Sequence, residues 1–182
     1  MKTLTLVTGG IRSGKSRFAL ELAQARASRK TFLATAEPFD EEMKKRILRH
    51  QAERGKDFTT VEAPLHLAHA VREASRHTDL VLIDCLTLWV NNLLYRFGSE
   101  PEKIHFEMDS LLDVAADRQT DIILVTNEIG LGVIPENLLV RRFLDEQGRL
   151  NQELARISDE VIFMISGIPQ VIKGVGIHAN LD

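Results

Sequence analysis

The chain has 182 residues, which favours one compact domain over residues 1–182, and its single cysteine excludes an internal disulfide framework and a cysteine-rich zinc site. With 23 basic and 26 acidic residues the net charge is −3, and only 5% of the residues are aromatic, which argues against a nucleic-acid-binding surface. No apolar run approaches the roughly 20 residues of a membrane helix, so we expect no membrane insertion and a cytoplasmic protein.

Apolar runs of strand length recur along the chain, and segments of helical character separate most of them. In chain order the runs cover residues 3–7, 31–36, 58–63, 80–84, 122–126 and 161–166, and the helical segments include residues 16–28 and 138–158. Most runs are continuous rather than alternating, as in strands that are covered on both faces. We therefore predict an α/β fold whose largely parallel sheet carries helices on both faces. The segment IPQVIKG is predicted to add an antiparallel edge strand after a Gly-Ile-Pro turn.

The first apolar run leads into a match to the phosphate-binding pattern G-x-x-x-x-G-K-[ST]. The matching residues are Gly9, Gly10, Ile11, Arg12, Ser13, Gly14, Lys15 and Ser16. A glycine-rich loop can wrap its backbone N–H groups around phosphate oxygens, and the helix that follows directs its positive end at the same anion. Lys15 is expected to neutralise the β- and γ-phosphates, and the Ser16 hydroxyl to bind Mg²⁺. The pattern predicts a P-loop NTPase-like fold and a bound nucleoside triphosphate.

A carboxylate at the end of a neighbouring strand is expected to help hold the metal, and Asp84 closes the run at residues 80–84. The alternative interpretation is an aspartate that simply ends a strand and starts a turn. Residues 127–129 read Asn-Glu-Ile instead of the N-K-x-D with which switch GTPases read guanine, and Asp84 is followed by Cys-Leu-Thr instead of D-x-x-G. Transfer of phosphate to a small molecule is therefore the leading functional class.

Residues 40–54 predict a helix with an acidic first turn and basic residues toward its other end. Arg46, His50 and Arg54 follow one another at intervals of four residues, so a helix places them on one face. The arginines could bind the phosphates of an incoming nucleotide, which suits a histidine that attacks a phosphorus atom. The same spacing also fits an ordinary exposed histidine, and the pattern alone leaves both interpretations open.

Taken together, the chain resembles the bifunctional adenosylcobinamide kinase/adenosylcobinamide-phosphate guanylyltransferase family. The resemblance covers residues 6–23, 32–55, 81–94, 123–155 and 165–173, in family order. Its most specific parts are the VTNE-to-PEN block at residues 125–137 and the helix at residues 46–54. It implies phosphorylation of adenosylcobinamide by a nucleoside triphosphate, and then transfer of GMP from GTP to the new phosphate through a GMP–histidine intermediate. By motif position that histidine is His50.

The resemblance also implies the nucleotide contacts, with Lys15 and His50 as catalytic residues. The contacts are the loop Gly9–Ser16 together with Ala34, Thr35, Ala36, Gln51, Ala52, Glu53, Arg54, Glu62 and Asp84. Glu62 is a candidate reader of guanine, because a carboxylate accepts hydrogen bonds from N1–H and the exocyclic amine; the alternative is a surface acid at a strand end. Arg46, Arg49 and Arg54 are candidates for stabilising charge at the α-phosphorus. The block at residues 127–137 is predicted to contact either the corrinoid or another subunit.

The implied cofactor is Mg²⁺, and the implied partners are GTP and ATP, adenosylcobinamide and its phosphate, and two further copies in a homotrimer. Two other functional classes stay open at this point. A plain P-loop small-molecule kinase would form no covalent nucleotide adduct. A non-enzymatic nucleotide-dependent regulatory module would bind GTP and leave cobinamide unchanged.

Overall fold

A computed structural model of the chain describes residues 2–38, 40–42, 44–45, 48 and 57–174. The strands in these ranges are β1 Leu4–Gly9, β2 Lys30–Ala34, β3 Phe58–Glu62, β4 Leu80–Asp84, β5 Asp121–Val125, β6 Glu160–Ile165 and β7 Ile168–Lys173. They form one sheet in the order β3-β2-β4-β5-β1-β6-β7. All neighbours are parallel except β6 and β7, which pair antiparallel. The predicted parallel sheet and its antiparallel edge strand are thus confirmed.

Helices connect most of these strands. Their bounds are α1 Lys15–Arg26, α2 Leu67–Ser75, α3 Leu86–Phe97, α4 Pro101–Ala116 and α5 Leu138–Ile157. None of the helices within the described ranges is both long and apolar enough to cross a membrane. Residues 41–42, 44–45 and 48 are helical as well, and the N–H of Lys44 donates to the Asp40 carbonyl at 3.0 Å, as expected for a helix that begins there.

Two apolar cores cover the two faces of the sheet. One contains buried side chains of α1, such as Phe18 and Leu22, against Ile123 of β5. The other contains buried side chains of α2 to α5, with Trp89 of α3 fully buried among them. Because every central strand is covered on both faces, its sequence is a continuous apolar run, and this is the pattern that predicted the fold.

The turn between β6 and β7 differs from the predicted Gly-Ile-Pro turn. The turn residues are Ser166 and Gly167, with φ values of 51° and 86°, and Ile168 already belongs to β7. Two successive positive φ values match the right-handed twist of a two-residue hairpin. Pro169 is accommodated within β7 because an edge strand can leave one backbone position without a donor.

The amino end of β1 is held by an aspartate that follows α5. The Asp159 carboxylate accepts a hydrogen bond from the Leu4 N–H at 2.8 Å and forms an ion pair with Arg118. Burial acts to raise the pKa of Asp159, but the Leu4 hydrogen bond and the Arg118 charge outweigh it and hold that pKa below its ordinary value. The pair therefore stabilises the fold when the carboxylate is ionised.

Candidate nucleotide-binding and catalytic site

The loop between β1 and α1 has the backbone conformation that anion binding requires. Gly9, Arg12 and Gly14 have positive φ values of 144°, 58° and 94°. Gly14 is the N-cap of α1, and no side chain caps the helix there. The first backbone N–H groups of a helix have no partner within the helix, and they carry its positive end. The loop can therefore present these groups to a phosphate.

Lys15 lies inside this loop, with only 7% of its surface exposed. Its Nζ donates to the Gly10 carbonyl at 2.6 Å and to Ser13 Oγ at 3.4 Å. The ammonium group is thereby held over the loop, where the β- and γ-phosphates are predicted to lie. Ser16 follows in the first turn of α1 and is half-buried. Both positions suit the roles predicted for them.

Two glycines let neighbouring elements approach the loop closely. A Cβ on Gly9 would overlap the Met164 carbonyl oxygen of β6. A Cβ on Gly14 would lie 3.3 Å from the Cα of Gly167, whose N–H donates to the Ser13 carbonyl at 3.0 Å. Strand β6 and the β6–β7 turn thus support the loop from one side, and only glycine fits at these contacts.

Asp84 ends β4, two strands away from β1, with β5 between them. At about 4.8 Å per strand, the two strands lie about 10 Å apart. No three His, Cys, Asp or Glu side chains within the described ranges are placed to hold a metal together. Mg²⁺ commonly takes one or two protein oxygens and completes its coordination with phosphates and waters, so Ser16 and Asp84 are a suitable donor set for Mg²⁺ bound with a nucleotide.

The predicted contact residues after β2 surround a threonine that is engaged within the protein. Thr35 is fully buried. Its Oγ1 donates to the Cys85 carbonyl at 2.8 Å and accepts from the Cys85 N–H at 2.9 Å, and its carbonyl accepts from Asn92 Nδ2 at 2.8 Å. Thr35 therefore fixes the path of this loop, and Ala34 and Ala36 are its partly exposed residues.

Glu62 lies at the far end of the same sheet edge. It ends β3 and is exposed, and Ala34 pairs with both Glu62 and Asp84, which places these residues at one level of the sheet. A cavity of about 920 Å³ runs along β3 and α2 beside Glu62, and no residue of Gly9–Ser16 lines it. Four strand spacings separate β3 from β1, about 19 Å. The structure thus gathers Lys15, Ser16 and Asp84 in one half of the edge and places Glu62 in the other.

The predicted guanylyl-transfer residues lie outside the described residues. They are Arg46, Arg49, His50, Gln51, Ala52, Glu53 and Arg54. Their positions relative to the loop are therefore not assigned, and their roles stay predictions.

The structure also brings a polar network to the carboxyl end of β5. Gln147 Nε2 donates to Thr126 Oγ1 at 2.9 Å and to Asn151 Oδ1 at 2.8 Å, and Thr126 Oγ1 donates to the same Asn151 oxygen at 2.8 Å. Asn151 Nδ2 then donates to the Asn127 carbonyl at 3.0 Å, and the Asn127 N–H donates to Thr87 Oγ1 at 2.9 Å. Sequence reasoning missed this network, although a polar triplet directly after a buried strand was a usable signal.

A run of apolar side chains lies open to solvent between β5 and the start of α5. Leu131, Val133, Ile134, Leu138 and Leu139 are between 70% and 94% exposed. Large apolar side chains that are exposed together in one segment are typical of surfaces that contact another molecule. The two uses predicted for this block, the corrinoid and a second subunit, both fit that exposure.

Solved structures of similar fold include two ATPases. A prototypical ATPase of the type III secretion system of pathogenic bacteria superposes with a TM-score of 0.55 at 12% identity, covering 88% of this chain and 50% of that chain. The ATPase domain of a second protein gives 0.50 at 14% identity, covering 89% of this chain and 69% of that one. At these identities the likeness shows the fold alone.

Sequence relatives are far more similar. The bifunctional adenosylcobalamin biosynthesis protein CobP of Pseudomonas aeruginosa is 41% identical over 169 residues, which cover 93% of this chain and 96% of the relative. The CobU proteins of Escherichia coli and Salmonella typhimurium are 37% and 39% identical over 181 residues, which cover 93% of this chain and 99% of each relative. The family model of cobinamide kinase/cobinamide phosphate guanyltransferase matches residues 5–172. With a phosphate-binding loop built around Lys15 and a family match over nearly its whole length, the chain belongs to the cobinamide kinase/cobinamide phosphate guanyltransferase family.

Proposed function

We propose that this chain catalyses two successive reactions in the assembly of the cobalamin nucleotide loop. In the first, a nucleoside triphosphate phosphorylates the aminopropanol hydroxyl of adenosylcobinamide. In the second, GMP passes from GTP to that phosphate, giving adenosylcobinamide-GDP and pyrophosphate. The family match over residues 5–172 is the observation that carries the proposal.

The phosphate-binding loop supports the kinase reaction. Phosphoryl transfer depends mainly on alignment and on neutralising the charge of the transferred group. The Lys15 ammonium and the backbone N–H groups at the start of α1 are placed to do both. Mg²⁺ held by Ser16 and Asp84 would add a further positive charge at the phosphates.

We assign the guanylyl transfer to His50, on its motif position alone. A ring nitrogen of His50 attacks the α-phosphorus of GTP, the bond to the bridging α–β oxygen breaks, and pyrophosphate leaves. An oxygen of the cobinamide phosphate then attacks the same phosphorus, and the phosphorus–nitrogen bond breaks to release His50. A covalent intermediate divides one difficult displacement into two easier ones.

We further propose that the enzyme is a homotrimer that acts in the cytoplasm. The exposed apolar residues between Leu131 and Leu139 support contact with further copies, which we take to form a homotrimer. The enzyme would work in the cytoplasm, where nucleoside triphosphates are available. Glu62 would read guanine, with the cavity beside it giving room for a base.

The test uses purified protein, Mg²⁺ and GTP labelled at either the α- or the γ-phosphate, followed by denaturation. We expect stable label from the α-position only, labile in acid, resistant to alkali and absent from His50→Ala. The same variant should keep substantial kinase activity, because the phosphate-binding loop carries γ-phosphoryl transfer. His105→Ala, at a histidine of α4 that pairs with Glu146 and does not line the cavity beside Glu62, is the matched control and should label like the wild type.

Three results would contradict parts of the proposal. Phosphorylation of cobinamide without any adduct would leave a plain small-molecule kinase. Binding of GTP with cobinamide unchanged would indicate a regulatory module. Equal loss of both activities in a folded His50→Ala variant would contradict the assignment of guanylyl transfer to His50 and of phosphoryl transfer to the loop.

A further inference from the structure

The segment after β5 lies directly beside the phosphate-binding loop. Strand β5 separates β1 from β4, so the residues that follow it lie between the loop and Asp84. The Thr126 N–H donates to the Val7 carbonyl at 3.0 Å, and the Glu128 N–H donates to the Gly9 carbonyl at 3.1 Å. The parallel ladder thus continues past the end of β5, and it ties the backbone of Glu128 to the first residue of the loop.

The polar network described above holds this segment from the other side. Gln147 is fully buried and Asn151 is 8% exposed, so the hydrogen bonds that they make are shielded from water. They fix Thr126 and the carbonyl of Asn127, while Thr87 of α3 fixes the N–H of Asn127. Hydrogen bonds with α3 and α5 therefore fix the backbone immediately before Glu128.

The Glu128 carboxylate itself has no hydrogen bond or ion pair with any of the described residues, and its side chain is half-exposed. The Glu128 backbone contacts the first residue of the anion-binding loop, and a carboxylate on this segment adds negative charge near a bound triphosphate. Its placement is explained if the carboxylate acts on the second reactant, an alcohol that must lose a proton as it attacks the γ-phosphorus.

We propose that Glu128 is the general base of the phosphoryl transfer, an inference that rests on the proposed function. The hydroxyl oxygen of the acceptor forms a bond to the γ-phosphorus while its proton passes to a carboxylate oxygen of Glu128. The bond between the γ-phosphorus and the β–γ bridging oxygen breaks, and the nucleoside diphosphate leaves with that electron pair. Glu128 later returns the proton to water.

This role separates the two reactions of the enzyme. The acceptor in guanylyl transfer is a phosphate, which is already ionised and has no hydroxyl proton to remove. Glu128 should therefore be needed for the kinase reaction and dispensable for guanylyl transfer. A residue that only supported the loop would affect every reaction that uses the bound nucleotide.

The experiment compares Glu128→Gln with Glu102→Gln, which removes the same charge from an exposed position at the start of α4. The two reactions are assayed separately, the second with preformed cobinamide phosphate, and nucleotide affinity is measured by equilibrium binding. For Glu128→Gln we expect kinase kcat to fall by about a hundredfold or more, in the range typical of a lost general base. Nucleotide Kd should stay the same or fall, because the substitution removes a negative charge near the phosphates, and guanylyl transfer should stay within about threefold, since it does not use the base.

Wild-type kinase activity is measured first, so that the two proposals fail separately. A wild type that leaves cobinamide unchanged would overturn the proposed function and this inference with it. With an active wild type, Glu128→Gln kinase turnover within about threefold of it would overturn the inference alone, because a lost base costs far more. Parallel loss of both reactions or of nucleotide binding would also overturn it. Glu128→Asp, which keeps a shorter carboxylate, should recover part of the kinase activity and guards against a folding defect.

Discussion

The loops after β2 and β5 are both fixed by a buried amide side chain from a helix, yet they differ in what they leave available. After β2, Asn92 of α3 donates to the Thr35 carbonyl at 2.8 Å and to the Pro64 carbonyl at 3.1 Å, and the Thr35 side chain is occupied by Cys85. After β5, Gln147 donates only to side chains, and the segment ends in the Glu128 carboxylate, which has no partner among the described residues. The first loop is thus held through its backbone, whereas the second ends in a carboxylate that makes no hydrogen bond or ion pair with the described residues.

The largest effect is expected at Gly9, the first residue of the phosphate-binding loop, whose carbonyl also accepts the hydrogen bond from the Glu128 N–H. Gly9→Ala would place a Cβ against the Met164 carbonyl oxygen at a φ of 144°. Strain and overpacking together should lower the free energy of unfolding by about 3 kcal/mol. For a chain of this length, that corresponds to a melting temperature about 6–12 °C lower.

Thermal unfolding followed by circular dichroism measures the Gly9 effect. Gly10→Ala is the control, because a Cβ there meets nothing within 4 Å. Its stability should stay within about 0.5 kcal/mol of the wild type. Equal stability of both variants would mean that β6 does not support the loop at Gly9.

The second-largest effect on stability is expected from Asn92, which holds the loop after β2. Asn92→Leu removes the donor of the buried Thr35 carbonyl and of the partly buried Pro64 carbonyl, and it should lower the free energy of unfolding by about 2 kcal/mol. Asn91→Leu, at the exposed neighbouring position, should stay within about 0.5 kcal/mol of the wild type in the same denaturant titration. If the two substitutions were equally tolerated, the anchoring of Thr35 through its backbone would lose its support.

Gln147→Met, on the helix that holds the loop after β5, should lower kinase turnover while changing the free energy of unfolding only slightly. Its loss leaves Thr126 still donating to Asn151, and Asn151 still donating to the Asn127 carbonyl. The free energy of unfolding should therefore change by less than about 1 kcal/mol, since no backbone carbonyl loses its donor. Kinase kcat should fall by about tenfold, because the segment that carries Glu128 is held less precisely.

Gln152→Met, at an exposed position of the same helix, is the matched control for Gln147 and should leave kinase kcat unchanged. Steady-state kinetics with separate kcat and KM values makes the measurement. Unaltered turnover in Gln147→Met would show that the buried network serves packing and does not position the reactive segment.

The smallest effect lies away from both loops, at the amino end of β1. Because the folded protein lowers the pKa of Asp159, its ionised form adds stability above the ordinary carboxyl pKa of 3.8, and that stability is lost as the pH falls through the lower folded value. Asp159→Asn should therefore weaken the decline of the free energy of unfolding on acidification. Asp113→Asn, on an exposed position of α4, should keep the wild-type decline in denaturant titrations across this pH range.

Features that depend on a short contiguous stretch of sequence could be predicted, whereas contacts between distant residues could not. The loop Gly9–Ser16 and the strand ends at Asp84 and Glu62 could be located because each depends on a short contiguous pattern. The predicted Gly-Ile-Pro turn was wrong, because the proline suggested a turn where an edge strand tolerates it. The polar triplet at residues 126–128 is a local signal that a polar cluster follows β5, but Gln147 and Asn151 lie far along α5, and no local pattern identifies them as the partners of Thr126.

The sequence by itself determined the α/β class, the phosphate-binding loop and the family, because continuous apolar runs and one fixed motif carry that information locally. Only the tertiary structure decided the neighbours of that loop. Strand order places β5 between β1 and β4, and therefore sets Glu128 against Gly9 and Glu62 about 19 Å away. Strand order follows from how the helices pack on both faces of the sheet, which is a property of the whole chain and not of any single segment.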